Sequence, residues 1–244
     1  MGLSARDLRV TLGGRAVLDG ISAAFVRGHV TAVLGANGAG KSTLLRAIAA
    51  LVPAHGVTLD GRDVATMPAR ERARAIGYLP QDAAVHWNMR VRDLVALGRL
   101  PHGGGGELAI EAALETTGTL MLAHRPTRSL SGGERARVLL ARVLAGEPRW
   151  LLADEPLASL DPLHQMQTLS LLRAAARRGM GVVVVLHDLT LAARVADDVL
   201  LLKDGAVLAY GSAAEVLTRC NIAEAYGVDV AILTHDGRRV IVPA

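Results

Sequence analysis

Eight consecutive residues, Gly35-Ala36-Asn37-Gly38-Ala39-Gly40-Lys41-Ser42, fit the pattern GxxxxGK[ST]. Glycines at these places let the backbone fold into a nest of N–H groups around phosphate oxygens. A helix starting at the lysine adds the positive end of its dipole. Lys41 would reach the β- and γ-phosphates, the Ser42 hydroxyl would hold Mg²⁺, and Thr43 follows as the next hydroxyl of the loop. A second candidate is Trp150-Leu151-Leu152-Ala153-Asp154-Glu155, an apolar run ending in two carboxylates. Alone it is a strand meeting a polar loop. Beside a phosphate loop, Asp154 can hold Mg²⁺ through water and Glu155 can polarise an attacking water. The third is Leu130-Ser131-Gly132-Gly133-Glu134, ahead of the periodic stretch Arg135–Ala145. It reads either as an ordinary N-cap or as a second anion site of free amides and a hydroxyl.

These groups need rigid elements behind them. Leu8–Leu12, Gly20–Val26 and His29–Leu34 read as strands, with turns at Gly13-Gly14 and Gly28. Lys41–Leu51 reads as a helix, so the phosphate loop lies directly between a strand and a helix. Val57–Leu59 and Ile76–Leu79 read as strands around a polar helix at Pro68–Arg74. From Asp82 to Glu147 the period becomes helical, broken by the glycines at 103–106, which read as a surface loop because no strand precedes them. The second half alternates: strand Trp150–Ala153, helix Leu163–Arg178, strand Gly181–Leu186, helix Leu189–Val195, strand Val199–Lys203. Continuous apolar strands predict a parallel sheet buried on both faces. Asp204-Gly205 and Asp236-Gly237 predict hairpin turns. No internal repeat is present, so a single cassette is expected.

Composition bounds the rest. The 244 residues are 51% hydrophobic and 20% charged, which argues against disorder. Aromatics are 2%, too few for a protein that reads nucleic acid or sugars by stacking. The 25 arginines and two lysines, net charge +4, are scattered rather than striped, so no nucleic-acid partner is expected. No apolar run approaches the ~18 residues of a membrane span. The opening MGLSARDLRV carries charges where a secretory signal needs apolar residues, and one cysteine, Cys220, fits a reducing cytoplasm.

Taken together, GANGAGKS, LSGGE and LLADEP stand in the order and approximate spacing of an ATP-binding-cassette (ABC) nucleotide-binding subunit, and the chain resembles that family over essentially its whole length. Gln81 in Tyr78-Leu79-Pro80-Gln81 resembles the family's Q-loop, His187 after Val185-Leu186 its switch histidine, and Ala158-Ser159-Leu160-Asp161 its D-loop. The resemblance implies an α/β fold: a P-loop NTPase (RecA-like) core with an antiparallel β edge and an inserted α-helical subdomain. Within one domain spanning 1–244, the core would take 1–82 and 148–244 and the helical subdomain 83–147.

It further implies a head-to-tail dimer of two copies. Each ATP would lie between Gly35, Asn37, Gly38, Ala39, Gly40, Lys41, Ser42 and Thr43 of one copy and Ser131, Gly132 and Gly133 of the other, with Asp161 near the shared interface. By the same resemblance Glu155 orients the water, His187 contacts the γ-phosphate, Gln81 touches metal or water, and Mg²⁺ is held by Ser42, Gln81 and Asp154. Closure and release would drive integral-membrane permease subunits, at the cytoplasmic face of the inner membrane, with a substrate-binding protein acting indirectly.

Where the family stacks adenine on an aromatic, this chain has Leu12. An apolar contact in its place implies a loss of about 0.5–1.5 kcal/mol and weaker base discrimination with hydrolysis intact. Val91-Arg92-Asp93-Leu94-Val95-Ala96-Leu97-Gly98-Arg99-Leu100-Pro101-His102 and His187-Asp188-Leu189-Thr190-Leu191-Ala192-Ala193-Arg194 resemble segments of importer ATPases for haem, ferric siderophores and cobalamin. Haem stands first, siderophores second, cobalamin third. A separate-chain exporter ATPase is the alternative within the family, and a small-molecule kinase the alternative outside it, though a kinase leaves LSGGE unexplained. The permease is expected to dock near Gln81 and the stretch 82–100, with Trp87 in contact.

Overall fold

Unbroken apolar segments build the centre of the molecule, seen in a computed structural model that describes residues 2–81, 88–158 and 160–244. The chain opens with β1 (Leu3–Leu12), β2 (Arg15–Phe25) and β3 (Val30–Leu34), then α1 (Lys41–Ile48), β4 (Val57–Leu59), β5 (Arg62–Asp63), α2 (Ala69–Ala75) and β6 (Ile76–Leu79). A helical stretch follows: α3 (Val91–Ala96), α4 (Glu107–Thr116) and α5 (Gly132–Ala145), linked by 3-10 turns. Next come β7 (Trp150–Ala153), α6 (Pro162–Arg177), β8 (Gly181–Val185), α7 (Leu189–Val195), β9 (Asp198–Lys203) and β10 (Ala206–Ser212). The chain ends with α8 (Ala213–Val216), α9 (Arg219–Tyr226), β11 (Val230–His235) and β12 (Arg238–Pro243).

Six strands form the main sheet in the order β10-β9-β3-β8-β7-β6, parallel except for β10. Every residue of β3, β7 and β8 is buried, as expected of parallel strands covered on both faces. The two-residue period of a strand sorts these side chains into two cores. Val182, Val184, Val199 and Leu201 join Leu139 of α5, Leu169 and Leu172 of α6 and Ala192 of α7 on one face. Val183, Val185, Leu200 and Leu202 join Leu44 and Ile48 of α1 and Leu3, Leu8 and Ile21 of β1 and β2 on the other. That second cover is a four-stranded antiparallel sheet, β2-β1-β4-β5. Val91 and Leu94 of α3, Ile110 and Leu114 of α4 and Val138 of α5 extend the first core.

Both expected hairpins form. Asp204 and Gly205 have φ of 48° and 80°, and Asp236 and Gly237 have 50° and 70°, the pair of left-handed residues that a tight hairpin turn needs. Three expectations shift. The first strand starts at Leu3, not Leu8, because Asp7 at φ 46° breaks the register and with it the alternation. The helix after the phosphate loop ends at Ile48, not Leu51, where Ala50 turns left-handed at φ 50°. The second strand starts at Arg15, not Gly20, while Val57–Leu59 forms β4 as expected beside a two-residue β5. The glycines at 103–106 all take positive φ after a 3-10 turn, a loop as expected. Trp87 and Ser159 lie outside the described residues.

Candidate nucleotide site

The parallel order of the sheet places the chemistry. β3, β8, β7 and β6 are successive neighbours, and the carboxyl ends of parallel strands are where such sheets bind ligands. The phosphate loop leaves β3 at Gly35. His187 follows β8 by two residues. Asp154 and Glu155 follow β7 by one and two. Gln81 follows β6 by two, and the last residues of β6 and β7, Leu79 and Ala153, are paired. Four sequence motifs spread over 150 positions thus arrive side by side at one edge. They line a cavity of about 480 Å³, whose walls are Asn37, Gly38, Gly40, Lys41, Ser42 and Thr43 with Gln81, Glu155 and His187, closed by Val17 from β2.

The phosphate loop is built by close approach. Gly35 has φ 144°, and a Cβ there would lie 2.4 Å from the Leu202 carbonyl oxygen. Gly40, the residue before α1, is left-handed at φ 94°, and a Cβ there would meet Leu18 at 2.6 Å. No side chain caps α1 and no acidic residue stands in its first turn, so its leading amides are open to an anion. Lys41 is 6% exposed. Its ammonium donates to the carbonyl oxygens of Gly35 at 2.8 Å and Ala36 at 3.0 Å. Burial lowers its pKa, opposed by the charges of Glu155 and Asp154.

Asp154 is fully buried. It accepts hydrogen bonds from the Ser42 hydroxyl at 2.8 Å and from Tyr78 Oη at 3.2 Å. Burial pushes the Tyr78 phenol up, which keeps it a donor. Ser42 and Asp154 together offer the hard oxygen donors that suit Mg²⁺, an ion that keeps several waters and binds through one or two carboxylates plus phosphates. Among the described residues there is no cluster of three or more His, Cys, Asp or Glu that could hold a metal ion.

Glu155 sits at φ 50°, left-handed backbone that costs a non-glycine about 1 kcal/mol and that gathers at functional sites. One of its oxygens lies 2.6 Å from His187 Nε2, and the other accepts from Gln81 Nε2 at 2.7 Å. Both carboxylate oxygens are therefore engaged.

The remaining candidates lie elsewhere. Gly35 and Ala39 are buried beneath the loop rather than lining the cavity. Ser131 caps α5: its hydroxyl accepts from the Glu134 amide at 3.2 Å, and Glu134 accepts from the Ser131 amide at 2.8 Å. Gly132 is exposed with open space around it. Asp161 caps α6, accepting from the His164 amide at 2.9 Å. Leu12, at the end of β1, is 38% exposed and does not line the cavity. Three contributors carry no sequence signal: Val17 and Tyr78, which reach the site through strand pairing, and Tyr226, whose hydroxyl accepts from the Gly35 amide at 2.9 Å.

The sequence profile of the ABC transporter family matches residues 18–158, which span the phosphate loop, Gln81, Ser131-Gly132-Gly133 and Glu155. The chain belongs to the ABC transporter family. Its relatives within this family include the hemin import ATP-binding protein of Streptomyces coelicolor, 47% identical over 98% of this chain and 89% of that protein. The protein of the same name from Pseudomonas entomophila is 44% identical over 97% and 96%. Among solved structures, a chain described as of a metal-chelate type ABC transporter in an inward-facing conformation superposes with a TM-score of 0.85 at 26% identity, covering 100% of this chain and 97% of that one. The ATP-bound structure of a bacterial Atm1-family ABC exporter matches at TM-score 0.80 and 27% identity, over 93% of this chain and 41% of that one. The ABC cassette fold, an ATP-binding α/β core of the P-loop NTPase type, is thus shared by importers and exporters and does not by itself give direction of transport.

Proposed function

We propose that this chain is the ATP-hydrolysing subunit of an importer for an iron chelate, with haem the first choice of cargo. The observation that carries the motor reading is the convergence of Lys41, Ser42, Glu155, Gln81 and His187 on one cavity, with the buried Asp154 hydrogen-bonded to Ser42. The cargo reading is supported by the 47% and 44% identical hemin import ATP-binding proteins and by the importer-like runs at 91–102 and 187–194.

In this reading the amides of 37–43 and the Lys41 ammonium hold the phosphates. Ser42, Gln81 and, through water, Asp154 would hold Mg²⁺, which would supply neutralisation of phosphate charge. Glu155 orients water and draws its proton, for which one of its two present partners must yield an oxygen. His187, whose half-exposed side chain contacts Glu155, would turn toward the γ-phosphate. Ser131, Gly132 and Gly133 complete the site of a second copy in a head-to-tail dimer, and Asp161 lies by that interface. Val17, which lines the cavity, would give the adenine an apolar contact in place of aromatic stacking, and Leu12, which does not line it, would touch only a base reaching beyond it.

The division into a core, 1–82 and 148–244, and a helical subdomain, 83–147, is supported by the run of helices α3–α5 between β6 and β7. Permease subunits would dock where the two meet, near Gln81 and the 65% exposed Leu100. That makes the chain peripheral at the cytoplasmic membrane face. No helix among the described residues is long and apolar enough to cross a membrane.

The test is iron uptake, supplied as haem or as ferric siderophore, by cells whose only copy carries Glu155→Gln. Loss of haem uptake alone is expected. Loss from siderophore alone moves the cargo to siderophores. Normal uptake from both defeats the iron assignment in favour of cobalamin or export.

A further inference from the structure

Residues 213–244 contain none of the motif residues, yet two side-chain contacts tie this segment to the nucleotide site. Tyr226 at the end of α9 accepts from the buried Gly35 amide across 191 positions of sequence. Thr190, three residues after His187, makes a reciprocal pair with β12: its hydroxyl donates to the Ile241 carbonyl at 3.0 Å and accepts from the Ile241 amide at 2.9 Å.

We propose that the C-terminal segment is a brace for the nucleotide site, in which Tyr226 is a positioning residue for the phosphate loop and Thr190 anchors the helix behind His187. The proposal rests on the reading of 35–42 as the ATP loop.

Gly35 is where the Tyr226 contact meets the loop. A glycine at φ 144° has more conformational freedom than any other residue, and here it is the joint between a rigid strand and the loop. Its amide is fixed by Tyr226, while its carbonyl accepts from Lys41 at 2.8 Å. Tyrosine, glycine and lysine thus form one chain of contacts, and the phenol limits how the Gly35 carbonyl, and so the Lys41 ammonium, is aimed. A buried amide stripped of its partner is costly, so removing the phenol oxygen leaves the loop, not only α9, in a worse state. On the other arm, Thr190 lies in the first turn of α7, whose start is capped by Asp188 accepting from Leu191 at 2.8 Å. A shift of β12 is therefore transmitted to the turn that carries His187.

Tyr226→Phe keeps the ring and removes only the hydroxyl. In the full chain, without nucleotide, amide hydrogen exchange over 35–41 is expected to quicken about threefold to tenfold. The ATP dissociation constant should rise by a similar factor, with kcat at saturating ATP within about twofold of the parent. Thr190→Val should do the reverse, lowering kcat about twofold to fivefold at unchanged KM, with Thr190→Ser restoring it. Exchange and ATP affinity at parent values in Tyr226→Phe, even with a lower melting temperature, would overturn the brace. Because exchange is read without nucleotide, a parent chain that failed to bind ATP would refute the ATPase reading and leave the exchange result standing.

Discussion

Two glycine-rich helix starts in this chain look alike in sequence and differ in state. At α1 the residue before the helix is left-handed Gly40, no side chain caps the amides and the first turn has no acid. At α5 Ser131 and Glu134 form a reciprocal capping box, and Arg125 lies 3.1 Å from that glutamate. The first start is an open anion site with its own lysine. The second has already spent two of its orphan groups on itself and holds a carboxylate where an anion would sit. In the proposed reading one copy carries one phosphate site, and Ser131-Gly132-Gly133 would act on a nucleotide presented from outside, toward the exposed Gly132.

The largest effect expected from breaking this comparison is at Glu155, the carboxylate proposed to orient the water. Glu155→Gln should lower ATP turnover by about 10²–10⁴-fold while leaving nucleotide binding at α1 intact. With hydrolysis blocked, ATP should drive the protein into dimers in sedimentation or light scattering. A variant that binds ATP yet stays monomeric would mean the α5 start has no role in a shared site.

Lys41→Ala comes second. A buried, charge-assisted donor removed from the open start should weaken ATP binding about 10–100-fold. Ser131→Ala, the equivalent lesion at the capped start, should cost about 0.5–2 kcal/mol of stability and leave the affinity of a single copy at the parent value, because Ser131 does not line the cavity. Calorimetric titration of both variants side by side checks the pair. An equal loss of affinity from both would erase the distinction between the two starts.

How far this could be read without coordinates follows the range of each interaction. The sheet was legible because parallel strands buried on both faces leave unbroken apolar runs, and the phosphate loop because its glycines are required by approaches such as that of Gly35 to Leu202. Gln81 and His187 were legible only through family resemblance, and Glu155 only as the end of an apolar strand taken to lie beside the phosphate loop, since nothing in local spacing says that three strands end side by side. Val17, Tyr78 and Tyr226 were not legible at all. Each enters by strand pairing or by a contact between distant segments, and each looks in sequence like ordinary core. The left-handed break at Asp7 hid half of β1 for the opposite reason, a local defect that spoils the period of a strand that is nonetheless continuous.

The smallest effect lies in the capping box itself. The Ser131 amide, aided by Arg125, holds the Glu134 carboxyl below the ordinary glutamate range. A carboxyl whose pKa is lower folded than unfolded contributes stability that is present above its unfolded value, about 4.3, and is lost as pH falls through the folded value. Glu134→Gln keeps the shape of the box and removes the charge. The parent should therefore melt above the variant by about 1–2 °C at pH 7, a gap limited by solvent screening at this partly exposed site. The two curves should converge as the pH is lowered below about 4. A gap that persisted unchanged at pH 3 would mean the charge is not what caps α5. At α1 no carboxylate occupies the first turn, so ATP affinity in the parent should not follow the Glu134 titration. If affinity did track it in a single copy, the two helix starts would be coupled within one chain, and the α5 start would not be waiting for a ligand from outside.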